Sequence, residues 1–102
     1  MRRVMVRYKL KPERAAQNEQ LVRDVYEELG RLQPEGFGYR TFRLDDGVTF
    51  VHLASHEGDG NPLARVEAFG RFQEDLRERC DEPPLLTELE EVGSYGFPAD
   101  AA

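Results

Sequence analysis

The sequence predicts an α+β domain in which a four-stranded antiparallel sheet carries two helices on one face. Three observations predict it. Two stretches place apolar residues at spacings of three and four, and each lies between alternating or β-rich runs. An Asp46-Gly47 pair separates the two central β-rich runs, which is the strongest short-range hairpin signal. No linker, low-complexity segment or short-period repeat interrupts the order, which reads β-α-β-β-α-β across 102 residues.

The first strand alternates with period two: Val4, Val6, Tyr8 and Leu10 on one side, Met5, Arg7 and Lys9 on the other. Pro12 then suits the first turn of a helix, where a missing N–H costs little. Ala15, Leu21, Val22, Val25, Tyr26, Leu29 and Leu32 form the first apolar stripe, with Glu19–Arg23 and Glu27–Arg31 as i,i+4 pairs on the wet side. Gly30, Pro34 and Gly36 mark its end. The hairpin runs from Phe37 to Leu44 and from Val48 to His56. A loop over Asp59–Pro62 follows, with Asn61 as N-cap. Leu63, Val66, Phe69, Phe72, Leu76 and Cys80 predict a second helix ended by Pro83-Pro84, with Glu67–Arg71 and Asp75–Arg79 on its outer face. A last strand is expected from about Leu85 to Phe97. Residues 1–97 thus read as one domain and 98–102 as a short tail.

Composition excludes several classes. The formal net charge is −6, from 14 basic and 20 acidic residues, and such a chain repels phosphate backbones, so no nucleic-acid partner is expected. No run has the length of a membrane span, and Met1–Arg3 lead into a strand, not a signal peptide. The lone Cys80 rules out an internal disulfide and suits a reducing compartment, so a cytoplasmic protein without a membrane partner is expected. His52 and His56 sit four apart, and on a strand that separates them by roughly 13 Å, too far to share one ion. No metal site is expected.

A two-residue turn at Asp46-Gly47 sets Thr41 opposite His52 and Tyr39 opposite Ala54. One face of the hairpin then carries Arg40, Phe42, Leu44, Val51 and Leu53, and its aliphatic character assigns it to the helices. The other carries Phe37, Tyr39, Thr41, Arg43, Phe50, His52, Ala54 and His56. That second set is expected on the open face, where two copies of the chain meet as a homodimer and leave a pocket lined by Tyr39, Phe50, His52 and Arg7.

With this order of elements the chain resembles the dimeric α/β-barrel superfamily of ferredoxin-like proteins, and within it the antibiotic-biosynthesis monooxygenase-like group. The residues that carry the resemblance are Val4–Glu13 running into a helix, Val48–Ala54, the Ala68-Phe69 and Phe72 stripe, and Val92–Phe97. It implies a ferredoxin-like fold that dimerises into a barrel, and a small-molecule-binding protein, with cofactor-independent oxidation of an aromatic substrate among the group's activities. The alternative is a non-enzymatic binding or accessory dimer. No cofactor is expected. Haem-degrading members carry a helical His and a Trp; this chain has no Trp, and neither His falls in a predicted helix.

His52 is the candidate general base, being a histidine in mid-strand beside an aromatic cluster; an interface histidine bonded across the dimer is the plainer role. Tyr39 and Phe50 are candidates to stack on a flat ligand, and Arg7 to hold an acidic group; interface packing and ion pairing are the alternatives. Arg43 is expected to pair with acidic residues. His56 is expected at the surface, Cys80 in packing, and Glu88, Glu90 and Glu91 as solvated edge charges.

Overall fold

A computed structural model describes residues 1–58 and 60–97. Asp59, within the predicted loop, and the predicted tail 98–102 lie outside the described residues. The strands are β1 (Arg2–Leu10), β2 (Phe37–Arg43), β3 (Thr49–His56) and β4 (Cys80–Glu88), in the sheet order β2-β3-β1-β4, with every neighbouring pair antiparallel. With the helices α1 (Ala15–Leu32), α2 (Glu67–Gln73) and α3 (Leu76–Arg79), this is the predicted ferredoxin-like α+β architecture. No described helix is long and apolar enough to cross a membrane.

The first helix follows its stripe. Pro12 opens a single 3-10 turn over Pro12–Arg14, and α1 then buries Ala15, Asn18, Val22 and Val25. It ends where Gln33 turns left-handed (φ 46°) and its N–H bonds the Leu29 carbonyl at 2.8 Å. Glu19–Arg23 and Glu27–Arg31 pair as expected.

The second helix differs from expectation. Asn61 caps a 3-10 turn over Pro62–Arg65, accepting from the Leu63 N–H at 3.0 Å. The chain then breaks at Val66, runs through α2, breaks again at Asp75 (φ 60°) and finishes with α3. The physical reason lies in the stripe itself. Leu63, Val66, Phe69 and Phe72 are three apart, and three such steps rotate by about 180° on a continuous α-helix. Breaking the helix lets Leu63, Val66, Phe72 and Leu76 all face inward. The new N-terminus at α2 is held by α1, because the Glu28 carboxylate accepts from the Glu67 and Ala68 N–H groups, both at 2.9 Å.

The last strand begins at Cys80 and ends at Glu88, earlier than the predicted Leu85–Phe97. Pro83-Pro84 lie within it and do not end a helix. β4 is an edge strand, and its register against β1 slips where Lys9 pairs Glu82 and Arg7 pairs Leu85, so the two prolines occupy a bulge where no ladder N–H is needed.

The hairpin register matches expectation: Tyr39 faces Ala54, Thr41 faces His52 and Phe42 faces Val51. Leu44 N–H bonds the Thr49 carbonyl at 2.8 Å and Asp46 accepts from the Val48 and Thr49 N–H groups, so the loop is wider than two residues but keeps the same parity. The assignment of the two faces is reversed. Tyr39, Thr41, Phe50 and His52 lie beneath the helices, whereas Phe42, Val51 and Leu53 lie on the open face. β1 supplies the reason: Val6 pairs with His52 and Tyr8 with Phe50, so the aromatic set shares a face with the core residues Tyr8 and Leu10.

Candidate functional site

Between the covered sheet face and the second helical region lies a cavity of about 840 Å³. Val4, Val6 and Leu86 supply its sheet wall, and Leu63, Val66 and Phe69 its helical wall. It exists because α2 and α3 are short and broken, and so cover less of β1 and β4 than an unbroken helix would. Its buried polar groups are Tyr8, His52 and His56, with Tyr39 half-buried beside them, and Arg2, Asn61, Arg65, Glu67, Gln73 and Arg77 stand at its exposed edge.

His52 is 4% exposed and both of its ring nitrogens are bonded. Nε2 meets Tyr8 Oη at 2.7 Å; Nδ1 meets Tyr39 Oη at 2.7 Å and Thr41 Oγ1 at 3.0 Å. Three aromatic rings surround the imidazole, with centroids 5.3 Å (Tyr8), 5.6 Å (Tyr39) and 5.4 Å (Phe72) away. Desolvation pushes the His52 pKa down to about 4, so the ring is neutral at pH 7. Burial likewise pushes Tyr26 up to about 12 and raises Tyr8 and Tyr39 well above the ordinary phenol range. The site is a cluster of neutral hydroxyls and one neutral imidazole.

Further polar groups reach this cluster from α1 and α3. Asn18 Nδ2 donates to Tyr8 Oη at 2.9 Å, and Tyr26 Oη lies 2.7 Å from Thr41 Oγ1. Arg79 is 1% exposed and donates to Asn18 Oδ1 (3.1 Å) and to the carbonyls of Phe72 (2.6 Å) and Glu74 (2.8 Å). It makes no ion pair among the described residues and does not join Asp75 on an outer face as expected. The guanidinium carbon lies 5.7 Å from the Phe72 ring centroid, a cation–π contact that offsets part of the cost of burial.

Of the predicted site residues, His52 and Tyr39 come together on the cavity wall. Phe50 stacks behind Tyr8 at 5.9 Å, 2% exposed in the core, and does not line the cavity. Arg7 pairs with Val51 on the open face and is exposed, so it stands on the far side of the sheet from His52. His56, expected at the surface, is 5% exposed and lines the cavity, its Nδ1 without a partner among the described residues. Arg43 pairs with Glu19 at 2.9 Å as expected.

Sequence reasoning missed Tyr8, Asn18, Tyr26 and Arg79 as site residues. The signal for two of them is phase. Asn18 continues the series Ala15, Asn18, Val22, Val25 at spacings of three, four and three, and Arg79 stands three residues after Leu76. A polar residue in the apolar phase of a helix is buried, and a buried polar residue has partners.

No family model matches the chain, and no curated protein does. Solved structures do match. One titled an antibiotic biosynthesis monooxygenase aligns over 91% of this chain and 100% of its own, at 19% identity and TM-score 0.70. A putative antibiotic biosynthesis monooxygenase from Nitrosomonas europaea covers the same shares at 13% identity and TM-score 0.73. An L-rhamnose mutarotase from Formosa agariphila covers 91% of this chain and 97% of its own, at 21% identity and TM-score 0.55. A fold shared by an oxygenase and a sugar mutarotase does not choose between their chemistries. In architecture, this chain has the ferredoxin-like fold of the antibiotic-biosynthesis monooxygenase-like structures.

Proposed function

We propose that this protein binds a small aromatic molecule in the cavity between sheet and helices and oxidises it with dioxygen, without a cofactor. The cavity supports this: its inner wall is apolar and aromatic, and the buried Tyr8–His52–Tyr39 array offers hydrogen-bonding groups there, while its charged residues stand at the rim. The similarity in fold to oxygenase-titled structures supports it too. The reaction balances without an external reductant, since one activated CH2 and one O2 become one C=O and one H2O. The protein's part is to bind the ring, accept the proton that leaves carbon and return one to the peroxide. His52 is the acceptor, at Nε2 and through the Tyr8 hydroxyl, which lines the cavity and lies 2.7 Å from that nitrogen.

A second reading, binding without turnover, is favoured by the His52 pKa, pushed down to about 4, which makes a weak base. Anthrone, a flat tricyclic ketone with an acidic CH2, separates the two. Oxygen uptake equal to anthrone consumed, reduced at least about tenfold in His52→Ala, is expected. Turnover that survives His52→Ala removes His52 as base, and binding without oxygen uptake favours the second reading. Gly70 lines the cavity with open space around its Cβ position, so Gly70→Phe is expected to fill the site and block binding while the fold persists.

The open sheet face supports a homodimer. Phe42 is 49% and Leu85 67% exposed there, beside Met5, Val51 and Leu53, and Arg3 and Lys9 on the same face pair with Glu91 and Glu82. An apolar face of this kind, rimmed by paired charges, suits a second copy of the chain related by a two-fold axis.

A further inference from the structure

We infer that the cavity takes its ligand as an oxyanion: the aromatic molecule carries an ionised oxygen, whether phenolate, enolate or carboxylate, and presents it to the Tyr39 hydroxyl. The inference rests on the cavity being the binding site and deepens it by naming the ligand's charge.

The first ground is the direction of the hydrogen-bond chain. A guanidinium only donates, so the Asn18 atom facing Arg79 is its carbonyl oxygen and the atom facing Tyr8 is its NH2. Tyr8 Oη therefore accepts from Asn18. Tyr8 is 1% exposed, and its own proton has one acceptor among the described residues, His52 Nε2. A buried hydroxyl proton without an acceptor is costly, so it goes there. His52 is neutral, so a bare Nε2 means that the ring proton sits on Nδ1, where it is donated to Tyr39 Oη, with Thr41 Oγ1 also in reach. Tyr39 Oη then accepts from His52, and its own proton is directed away from the imidazole, toward the Thr41 hydroxyl or toward a ligand oxygen in the cavity that the side chain lines. The chain runs one way, from a buried cation to the Tyr39 O–H at the cavity wall.

The second ground is charge. Arg79 is buried without a carboxylate, so the positive end of this chain is not neutralised. The cavity rim adds Arg65 and Arg77, both exposed and without ion pairs among the described residues, against Glu67 alone. Arg2 also lines it but is paired with Glu88. A chain of net charge −6 thus keeps a cationic margin at this cavity. An anion is drawn to such a site, and a donor backed by a cation binds a charged oxygen more strongly than a neutral one.

The test compares 2-naphthoate with 2-naphthamide, which share ring and size but differ in charge, by calorimetry on the full chain at pH 7.5. Naphthoate is expected to bind about tenfold more tightly than the amide, the margin between charged and neutral hydrogen bonds. Asn18→Asp reverses the chain: the new carboxylate pairs with Arg79 and takes the Tyr8 proton, His52 becomes the Nε2–H tautomer, and Tyr39 donates back to Nδ1. The preference for naphthoate is then expected to collapse to near parity. Nitrogen-15 NMR of His52 reads the same reversal directly, with Nδ1–H in the parent chain and Nε2–H in Asn18→Asp. Equal binding of the two probes, or an Nε2–H tautomer in the parent, overturns the inference while leaving the aromatic cavity standing. Failure of both probes to bind overturns the cavity reading and this one together. If Asn18→Asp does not fold, the parent tautomer and the parent probe ratio still decide.

Discussion

The two faces of the sheet distribute polarity against the simple rule that polar residues face water. The covered face holds Tyr8, Tyr39, Thr41 and His52, and the open face holds Met5, Phe42, Val51, Leu53 and Leu85 beside the exposed Arg7 and Arg40. On the covered side, hydroxyl and ring nitrogen groups are bonded to one another, so their burial costs little net free energy. On the open side, apolar area remains uncovered in the single chain. Burial is decided by whether partners exist, not by polarity alone. A face with satisfied polar groups belongs inside, and an apolar face without a cover calls for a second molecule.

The largest test of this contrast is Arg79→Ala. It strips donors from the Phe72 and Glu74 carbonyls and from Asn18. Each acceptor left unpaired costs about 1–3 kcal/mol, less what is regained by no longer burying a cation, so a loss of about 3–5 kcal/mol in urea unfolding is expected. A loss below about 1 kcal/mol shows that the polar network does not hold the covered face.

Acid comes next. His52 has a folded pKa of about 4 against an ordinary value of 6.5, so between those values the unfolded chain holds a proton that the folded chain does not. The protein is therefore fully stabilised above pH 6.5 and loses stability as pH falls through that window, by about 1.4 kcal/mol per unit and about 3 kcal/mol in all. Asp46, held down to about 2 by Thr49 and the turn N–H groups, acts at lower pH, from its ordinary 3.8 downward. His52→Gln is expected to flatten the slope between pH 6.5 and 4. An unchanged slope means another group carries it.

Tyr8 and Arg7 are neighbours in sequence on opposite faces, and they make the sharpest pair. Tyr8→Phe leaves Asn18 Nδ2 and His52 Nε2 without their shared partner, for about 2–3 kcal/mol, whereas Arg7→Ala is expected to stay within about 0.5 kcal/mol. Equal effects would erase the distinction between the faces. For Leu53→Glu on the open face the expected change is in association: light scattering is expected to find a dimer in the parent chain and a monomer in the variant. A parent chain that is monomeric at micromolar concentration removes the dimer.

The contrast also explains what sequence reasoning saw and missed. The hairpin parity was legible because Asp46-Gly47 and the alternating residues on either side specify it. Its orientation was not, because choosing the more aliphatic face for the core ignores Tyr8, Asn18 and Tyr26, which arrive from β1 and α1 to satisfy the polar set. His52 and Tyr39 were therefore visible as a pair, while Arg7 was grouped with them although it lies on the other face. The second helix was misread for a related reason. Apolar spacing of three was counted as helical without asking where an unbroken helix would carry it.

Alone, the amino-acid sequence determined the order of elements, the hairpin register and the apolar phase of the first helix, because these are local: they follow from periodicity, turn chemistry and residues close in the chain. Only the tertiary structure decided which face of the sheet is covered and where the cavity lies. It also decided that Arg79, Asn18, Tyr8, His52 and Tyr39 form one directed chain. Those depend on strand pairing between residues more than forty positions apart, Tyr8 with Phe50 and Val6 with His52, and no local pattern specifies which partner a strand meets or how it is turned.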